Sequence, residues 1–470
     1  MMWKGRFGED TAKVVQEFTQ SLDIDWCLAV FDVAGSIAHA KMLCEIGILT
    51  EEELTFIVQG LMDIKKEIED GVFEPSIDLE DVHMNIEKRL TDKIGPVGAK
   101  LHTGRSRNDQ IATTMRLFLR EQLVSMGEKM AMLLEVLLER SEKHCRVIVP
   151  GYTHLQQAQP VSMGHYWMCH FTAFKRDCKK LIMALDSLDE SPLGAGALAG
   201  STIALDRSIS ARLLGFKGIT DNSMETVASR DYLLDYHYFS SVFSIHCSRL
   251  AEDLIIYSSQ EFGWIILPDA FCTGSSMMPQ KKNPDVLELV RGKTGQIIGH
   301  MLDLMISLKG LPLTYDRDLQ EDKRGLLSSL KTVNGVLKVL VPLLHSVEVD
   351  GEKAKSGLEK GMSLATDIAE YLVTKGVPFR EAHWKVGQLV KWCTDNGKNF
   401  QDLSISEWKE HIPEIDENIF DIMNLESSVS RRSTYGGTAF SNVEDQIVKG
   451  HHYVRKLHKE LESRKVYLFD

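Results

Sequence analysis

Four short polar segments interrupt an otherwise apolar-rich sequence, and they contain the side chains best suited to chemistry. The most specific is TGSSMMPQKKNPDVLE at 273–288, where a Gly-Ser-Ser loop precedes two adjacent lysines. Asn283 and Pro284 are typical of the N-cap and first residue of a helix. Lys281 and Lys282 then lie beside a helix N-terminus, where cations oppose the helix dipole. The segment therefore predicts a binding site for an anion.

A second polar segment, GYTHLQQAQP at 151–160, places a histidine among hydroxyl and amide side chains between two prolines. His154 directly follows Thr153, and Pro160 is expected to start the next helix. An imidazole can donate or accept a proton near neutral pH. A lone histidine more often makes a structural hydrogen bond, so a packing role is the alternative. The polar surroundings favour His154 over the other histidines as a general acid or base.

The segment LHTGRSRNDQ at 101–110 combines two arginines with a glycine in a short loop. Guanidinium groups bind carboxylates through paired hydrogen bonds, which makes Arg105 and Arg107 candidates for holding an acidic substrate. Asn108 is also a good N-cap for the helix expected to follow. Capping alone is therefore an equally good explanation for Asn108 and Asp109.

The last polar segment, TYDRDLQEDKR at 314–324, carries Tyr315, Gln320 and Lys323. Their hydroxyl, amide and ammonium groups could contact a polar ligand. The alternating charges would suit a solvated helix start almost as well. This segment becomes a candidate site through its combination with the other three.

Long helices must position these segments, because proline interrupts helices and only 12 prolines occur in 470 residues. Between Pro96 and Pro150, apolar residues recur every three or four positions from Met115 to Leu137, which predicts a helix of many turns. The same period predicts four more long helices, which are expected after Pro160, from Arg230, from Pro284 to about Leu308, and from about Gln320 to Leu340.

Five such helices predict a mainly all-α protein with an elongated central bundle. The predicted domains are an N-terminal helical domain at 1–105, the long-helix bundle at 106–355 and a small helical C-terminal domain at 356–470. Strand signals are confined to 147–150 and 194–205. The first long helix is apolar on more than one face, so subunit association is expected to bury Phe118, Met132, Leu134, Val136 and Leu138.

Composition argues against several classes of protein. With 54 basic and 67 acidic residues the net charge is −13, which disfavours nucleic acid as the main partner. The eight cysteines are scattered without metal-site spacing, so neither disulfides nor a metal is expected. No apolar run reaches the ~18 residues of a membrane span, and the N-terminus lacks the apolar core of a signal peptide. A cytoplasmic location is expected.

The GSSMMPQKKN motif at 274–283 resembles the signature loop of the fumarase/aspartase superfamily, whose members release fumarate by cleaving a C–N or C–O bond. Within that superfamily, LHTGRSRNDQ, GYTHLQQAQP and YDRDLQEDK are similar to the argininosuccinate lyase and δ-crystallin branch. The similarity runs from WKGRF at 3–7 to YGGTA at 435–439. One departure is Gln157, which stands where the family usually has arginine.

The resemblance implies a role for each matching side chain. Ser275 corresponds to the catalytic base of the loop, and His154 corresponds to the acid. Lys281 and Asn283 correspond to groups that hold the substrate and stabilise the carbanion. The remaining implied substrate contacts are Ser21, His83, Arg107, Asn108 and Thr153, together with Tyr315, Gln320 and Lys323 on the arginine side.

The resemblance further implies three mainly helical domains, a homotetramer with active sites shared between subunits, and no cofactor or metal. The implied reaction converts argininosuccinate to arginine and fumarate, a step of arginine biosynthesis, without a nucleic acid or membrane partner. Two alternatives stay open. One is a sister lyase acting on another succinyl adduct, and the other is a lens-type structural tetramer without turnover.

Overall fold

The computed structural model describes residues 11–360 and 362–469, so the WKGRF motif at 3–7 lies outside the described residues. Within them the protein is mainly α-helical, which confirms the predicted fold class. The strands in this part of the chain are short and pair in two-stranded sheets. Three separate apolar cores hold the helices together.

The N-terminal helices surround a core of their own, which is formed by the third and later helices of this group. They are α1 (Lys13–Thr19), α2 (Leu22–Asp25), α3 (Ala29–Glu45), α4 (Glu51–Glu69), α5 (Val82–Ile94) and α6 (Pro96–Ala99). A capping box formed by Thr50 and Glu53 starts α4. Gly60 lets α5 approach α4 closely, because a Cβ there would lie 2.7 Å from Leu90 Cδ1. This packing fixes α5, the helix that carries His83.

All five predicted long helices are present and form the central bundle. They are α7 (Arg107–Lys143), α8 (Met163–Asp186), α11 (Asp231–Ser258), α12 (Asp285–Leu308) and α13 (Asp322–Ser346), with the short α9 (Arg207–Leu213) and α10 (Ser223–Ala228) between them. Pro342 lies inside α13, so this helix continues past its predicted end near Leu340. A proline this close to a helix C-terminus removes one backbone hydrogen bond without ending the helix.

The first long helix, α7, is surrounded by neighbours within one chain. It packs against α3, α8 and α13, and Phe118, Leu134 and Leu138 are buried there. The expectation that subunit association buries these three side chains is therefore wrong, although Met132 remains 52% exposed. The helix with an exposed apolar face is instead α12, on which Leu289, Leu302 and Ile306 are each more than half exposed.

Short strands connect the ends of the long helices. An antiparallel hairpin of β1 (Ile148–Thr153) and β2 (Gln156–Ser162) links α7 to α8. The two-residue pairs are β3 (Glu190–Ser191) with β4 (Gly218–Ile219), β5 (Ile265–Ile266) with β8 (Glu348–Val349), and β6 (Thr273–Gly274) with β7 (Lys282–Asn283). The strand signal at 147–150 is confirmed, whereas 194–205 forms turns and coil. Pro160 lies in β2 and does not start a helix, since α8 begins at Met163.

The C-terminal helices divide between a small core and the bundle. They are α14 (Gly351–Lys360), α15 (Ala365–Thr374), α16 (Phe379–Asp395), α17 (Ile405–His411), α18 (Ile419–Ile422), α19 (Leu425–Arg431) and α20 (Phe440–Ser463). Trp408 is buried in the small core. In contrast, α20 returns to α7, where a Cβ on Gly450 would overlap Leu138. The three-domain division stays a prediction, and we propose that its third domain ends before Phe440.

Two helical stretches of the described chain, Lys13–Glu45 and Arg317–Ser346, are long and apolar enough to cross a membrane by length and composition. In the first, 78% of the most apolar window is buried inside the protein. In the second, 44% of that window is buried, and the buried apolar side chains of α13 belong to the bundle core. Core packing is therefore the simpler explanation of their composition.

Candidate active site

A polar pocket of about 230 Å³ opens where the N-terminal helices meet the start of α7 and the segment before α13. It brings together seven of the predicted site residues from separate parts of the chain. These residues are Ser21, His83, Arg107, Asn108, Tyr315, Gln320 and Lys323. The other lining residues are Asp25, Glu80, Asp81, Ile111 and Arg317.

Ser21 is held in the polar pocket by the acid four residues later. Its Oγ donates to Asp25 Oδ2 at 2.6 Å, and the backbone N–H of Val82 donates to Asp25 Oδ1 at 3.3 Å. Burial raises the pKa of Asp25 to about 6, although the Ser21 hydrogen bond opposes the shift. Asp25 can therefore gain or lose a proton close to neutral pH.

His83 lies on α5 at the pocket wall and is only 4% exposed. Its Nδ1 is 2.8 Å from Oδ1 of Asp32, which is on α3. Burial lowers the pKa of His83, but the carboxylates of Asp32 and Asp81 together outweigh this effect and leave the pKa raised. The charged imidazolium is therefore favoured beside the pocket.

The first turn of α7 presents Asn108 to the polar pocket. The N-cap of this helix is Ser106, which forms a capping box with Asp109. The Asn108 side chain instead donates to the Ala197 carbonyl at 3.0 Å. The prediction that Asn108 caps α7 is wrong, because the chain enters the helix before this residue.

The two arginines of the RSRNDQ motif have different environments. Arg107 lines the polar pocket and forms an ion pair with Asp81. Arg105 is buried away from the lining and donates to Ser36 Oγ at 2.9 Å. Of the two, Arg107 is the one that a ligand in the pocket could reach, so carboxylate binding remains a proposal for Arg107.

The segment before α13 contributes Tyr315 and Gln320 to the lining, and the first turn of α13 contributes Lys323. Lys323 Nζ is 2.9 Å from Oδ1 of Asp322, and the other oxygen of this carboxylate pairs with Arg230. Burial raises the pKa of Tyr315, so its hydroxyl remains protonated at neutral pH and can donate a hydrogen bond.

Sequence reasoning missed several charged groups of this region. Glu80 pairs with Arg317 at 2.7 Å, and both side chains line the pocket. Asp81 also lines it, while the ion pair of Asp322 with Arg230 anchors the start of α13. Asp81 and Asp322 each lie within two residues of a predicted site residue, and this proximity in sequence could have identified them as site residues. No comparable local signal points to Arg230, which is distant in sequence.

The lining carries both signs of charge. Its acidic side chains are Asp25, Glu80 and Asp81, and its basic side chains are His83, Arg107, Arg317 and Lys323. An ammonium group can meet the carboxylates while a carboxylate meets the guanidinium or ammonium groups. The pocket is therefore suited to the α-amino acid end of a ligand. No cluster of His, Cys, Asp and Glu that could hold a metal occurs in the described residues.

Thr153 and His154 do not line the polar pocket, because they lie at the tip of the β1–β2 hairpin. Thr153 pairs with Gln156, so His154 and Leu155 form a two-residue turn. Their φ angles are 56° and 55°, which suit a type I′ hairpin turn but are unfavourable for residues other than glycine. The tip is exposed, so the His154 side chain is accessible from outside the chain.

Ser275 and Lys281 lie in the loop of a second hairpin, formed by β6 and β7. Ser275 Oγ accepts hydrogen bonds from the backbone N–H groups of Met277 and Met278, at 3.2 and 3.0 Å. Met277 is 87% exposed, so the loop makes little apolar contact with the rest of the chain. Ser275 is thus held by its own loop at the protein surface.

The helix after this loop starts one residue later than predicted. Pro284 occupies the N-cap position of α12, and no side chain caps this end. Asn283 lies in β7, and its side-chain amide donates to the Gly274 carbonyl at 3.4 Å. The prediction of an Asn283 cap is wrong because the hairpin engages this residue. The first N–H groups of α12 are left without a side-chain partner.

The two adjacent lysines of the loop have different partners. Lys282 Nζ donates to Asp269 Oδ1 at 2.6 Å and to the Leu267 carbonyl. Across the described residues, Lys281 has no hydrogen-bond or ion-pair partner for its side chain, which is exposed. Lys281 is therefore the lysine available to an anion.

A single chain leaves the predicted residues in three places, which are the polar pocket, the tip of the β1–β2 hairpin and the β6–β7 loop. α7 runs from Arg107 toward the His154 hairpin, and its 37 residues span about 54 Å at 1.5 Å per residue. α12 runs from the Ser275 loop toward Tyr315, and its 24 residues span about 35 Å. The exposed hairpins are thus a helix length away from the polar pocket of their own chain.

The sequence matches two family models and many curated proteins. The lyase family model matches residues 5–299, and the argininosuccinate lyase C-terminal model matches residues 362–430. Argininosuccinate lyase from Moorella thermoacetica is 48% identical over 438 residues, covering 93% of this chain and 94% of that protein. Argininosuccinate lyase from Geobacter metallireducens is 46% identical over 448 residues, covering 95% of this chain and 98% of that protein.

Solved structures share the same architecture. A variant of EDDS lyase with bound fumarate aligns with a TM-score of 0.85 at 28% identity, covering 93% of this chain and 88% of that chain. A class II fumarase from Schistosoma mansoni aligns with a TM-score of 0.73 at 17% identity, covering 88% and 92%, and shows a common fold. Because the curated relatives match nearly end to end at almost half identity, the chain belongs to the argininosuccinate lyase family.

Proposed function

We propose that this protein catalyses the reversible β-elimination of argininosuccinate to arginine and fumarate, as a cytoplasmic enzyme of arginine biosynthesis. The observation that carries the proposal is the convergence of seven predicted residues on one pocket of mixed charge. The relatives named argininosuccinate lyase support the same reaction.

The polar pocket is assigned to the arginine end of the substrate. The α-ammonium group of this end can meet Asp25 or Asp81, and its α-carboxylate can meet Lys323. Tyr315 and Gln320 add neutral hydrogen bonds that fix the orientation. Each charged end of the zwitterion then has an oppositely charged partner.

The Ser275 loop is assigned to proton removal from the succinyl end. The proton leaves a carbon next to a carboxylate, so the intermediate carries two negative charges on that carboxylate. Ser275 takes the proton, while Lys281 and Asn283 stabilise the charge. The uncapped N-terminus of α12 adds open N–H groups and the positive end of a helix dipole. The same cations favour the alkoxide form of the serine.

The His154 hairpin is assigned to departure of the guanidino group. The C–N bond breaks, its electron pair goes to the guanidino nitrogen, and His154 donates a proton to that nitrogen. Thr153 holds the substrate beside it, and Arg107 and Asn108 orient the substrate from the pocket. The products are arginine and fumarate, and the steps use side chains of the protein together with backbone N–H groups of α12.

These assignments require several subunits, and we propose a homotetramer with shared active sites. The polar pocket of one chain lies about 54 Å from its own His154 hairpin by the length of α7. Packing chains side by side would bring hairpins from neighbouring subunits to each pocket. The exposed apolar face of α12, with Leu289, Leu302 and Ile306, supplies a surface for this association.

The direct test is to add argininosuccinate to the purified protein and follow fumarate by its ultraviolet absorbance, with arginine measured by chromatography. Equal amounts of both products are expected. Fumarate released only from other N-succinyl compounds would indicate a sister lyase. A folded tetramer that releases no fumarate from any of them would indicate a lens-type structural protein.

A further inference from the structure

A buried acid lies behind the polar pocket, outside its lining. Asp32 is 1% exposed and lies on α3. Its Oδ1 is 2.8 Å from Nδ1 of His83 and also accepts a hydrogen bond from Nε2 of Gln110 at 2.7 Å. A carboxylate can only accept, so His83 must carry a proton on Nδ1. The acid thereby fixes both the tautomer and the ring orientation of His83.

The other ring nitrogen of His83 is left for the pocket. His83 lines the pocket, yet Nε2 is buried and has no hydrogen-bond partner among the described residues. A buried polar atom without a hydrogen-bond partner destabilises the protein unless a ligand supplies that partner. We propose that Asp32 is a positioning residue, which holds His83 so that Nε2–H donates to a carboxylate of the bound substrate. This inference deepens the proposed function and rests on it.

The charge of the imidazole follows from all the groups around it. The charged groups near His83 are Asp25, Asp32, Asp81, Glu87, Arg105 and Arg107. Burial and Arg107 both lower the pKa of His83, but Asp32 and Asp81 raise it by more than burial and Arg107 lower it. The net shift is upward, so the donor on Nε2 persists to a higher pH than in an ordinary histidine.

Replacing Asp32 with Asn tests the inference, because Asn keeps the shape and an acceptor but removes the charge. The pKa of His83 should fall, so that at pH 8 the ring keeps its proton on Nδ1 and loses the proton on Nε2. The KM for argininosuccinate should then rise about tenfold, because the charge-assisted hydrogen bond to the substrate is lost. The defect should shrink as the pH falls and His83 regains its proton. kcat should change by less than about twofold, since the contact serves substrate and transition state alike.

A double variant separates action through His83 from general disruption. If Asp32 works through His83, Asp32→Asn added to His83→Gln should raise KM no further than His83→Gln alone. Independent, additive effects of the two changes on KM would overturn the inference.

A second pair, formed by a buried acid and a partly buried histidine, provides a control. Asp177 Oδ2 is 2.6 Å from His246 Nδ1, and neither residue lines the polar pocket. Asp177→Asn should lower thermal stability without changing KM or its pH dependence. A rise in KM as large as that of Asp32→Asn would mean that losing any buried pair has this effect, and the inference would fail.

Nuclear magnetic resonance of histidine ring carbons in the wild-type tetramer provides a test that needs neither turnover nor a stable Asp32 variant. The His83 signal is the one missing from the His83→Gln spectrum, and its midpoint should lie above the ordinary value of about 6.5. A midpoint at or below that value would overturn the inference. Absence of fumarate release from the same sample would instead refute the proposed function.

Discussion

The polar pocket and the two exposed hairpins differ in how firmly their side chains are held. In the pocket, Ser21 bonds to Asp25 at 2.6 Å, and His83 is buried against an acid. At the hairpins, His154 is exposed, and Lys281 has no side-chain partner within the described chain. Groups that bind an unreacting part of a ligand benefit from being preorganised. Groups that act on the reacting atoms can be delivered after the substrate has entered.

This difference suggests a division between affinity and rate. Substitutions in the pocket should mainly change KM or stability, whereas substitutions in the hairpins should mainly change kcat. The left-handed backbone at His154 fits this division, since strained residues persist where the surrounding structure and a function require them. A hairpin substitution that altered only KM would break the comparison.

The largest effect is expected for Ser275→Ala. Removing a general base should lower kcat by about 10²- to 10⁴-fold, while KM stays near the wild-type value. The loop hydroxyl accepts only local backbone hydrogen bonds, so folding should be unaffected. Steady-state fumarate release measures both constants, and Ser276→Ala in the same loop is the matched control. Retention of more than about a tenth of kcat would mean that another residue is the base.

A gain of activity is expected when two inactive variants are mixed. Co-refolding a His154→Ala variant with a Ser275→Ala variant should restore roughly a quarter of the sites, because His154 is intact in about half of the sites and Ser275 is independently intact in about half. Hybrid tetramers are verified by native mass measurement. If hybrids form and stay as inactive as their parents, both residues come from one chain, and the shared-site proposal is wrong.

A smaller effect is expected for Lys281→Met. The free ammonium should meet the substrate carboxylate before and during proton removal, so KM should rise and kcat should fall, each by about tenfold. Lys282→Met is the control, because Lys282 is already engaged by Asp269 at 2.6 Å and should contribute less. Equal effects of the two substitutions would show that the loop rearranges on binding. The bond of Lys282 to Asp269 would then not distinguish the two lysines.

The last effect concerns the stability of the pocket. Burial raises the pKa of Asp25 from 3.8 to about 6, so the folded state binds a proton more readily than the unfolded state. Stability is therefore lost as the pH rises from about 4 to 6, by up to about 3 kcal/mol. Asp25→Asn should raise the unfolding temperature at pH 8 relative to wild type, with little gain at pH 4. Asp269→Asn at the exposed loop should show no such gain, and a similar gain there would contradict the assignment to burial.

The long helices could be predicted because their signal is local. Apolar residues at every third or fourth position predict a helix whatever its neighbours are, and all five such helices are present. The helix starts were less predictable. Asn108 and Asn283 both suit an N-cap, but tertiary contacts with Ala197 and Gly274 use their side chains instead. Amide side chains can satisfy several local patterns, and the surrounding loops decide among them.

The sequence by itself determined which side chains could do chemistry, since hydroxyl, imidazole and ammonium groups in short polar segments have fixed chemical capacities. Only the tertiary structure decided that Ser21, Arg107 and Tyr315 share one pocket, and that His154 and Ser275 do not reach it within the same chain. The physical reason is that residue type and period are local properties. The distance between two segments depends on how rigid helices of about 35 to 54 Å are packed against each other.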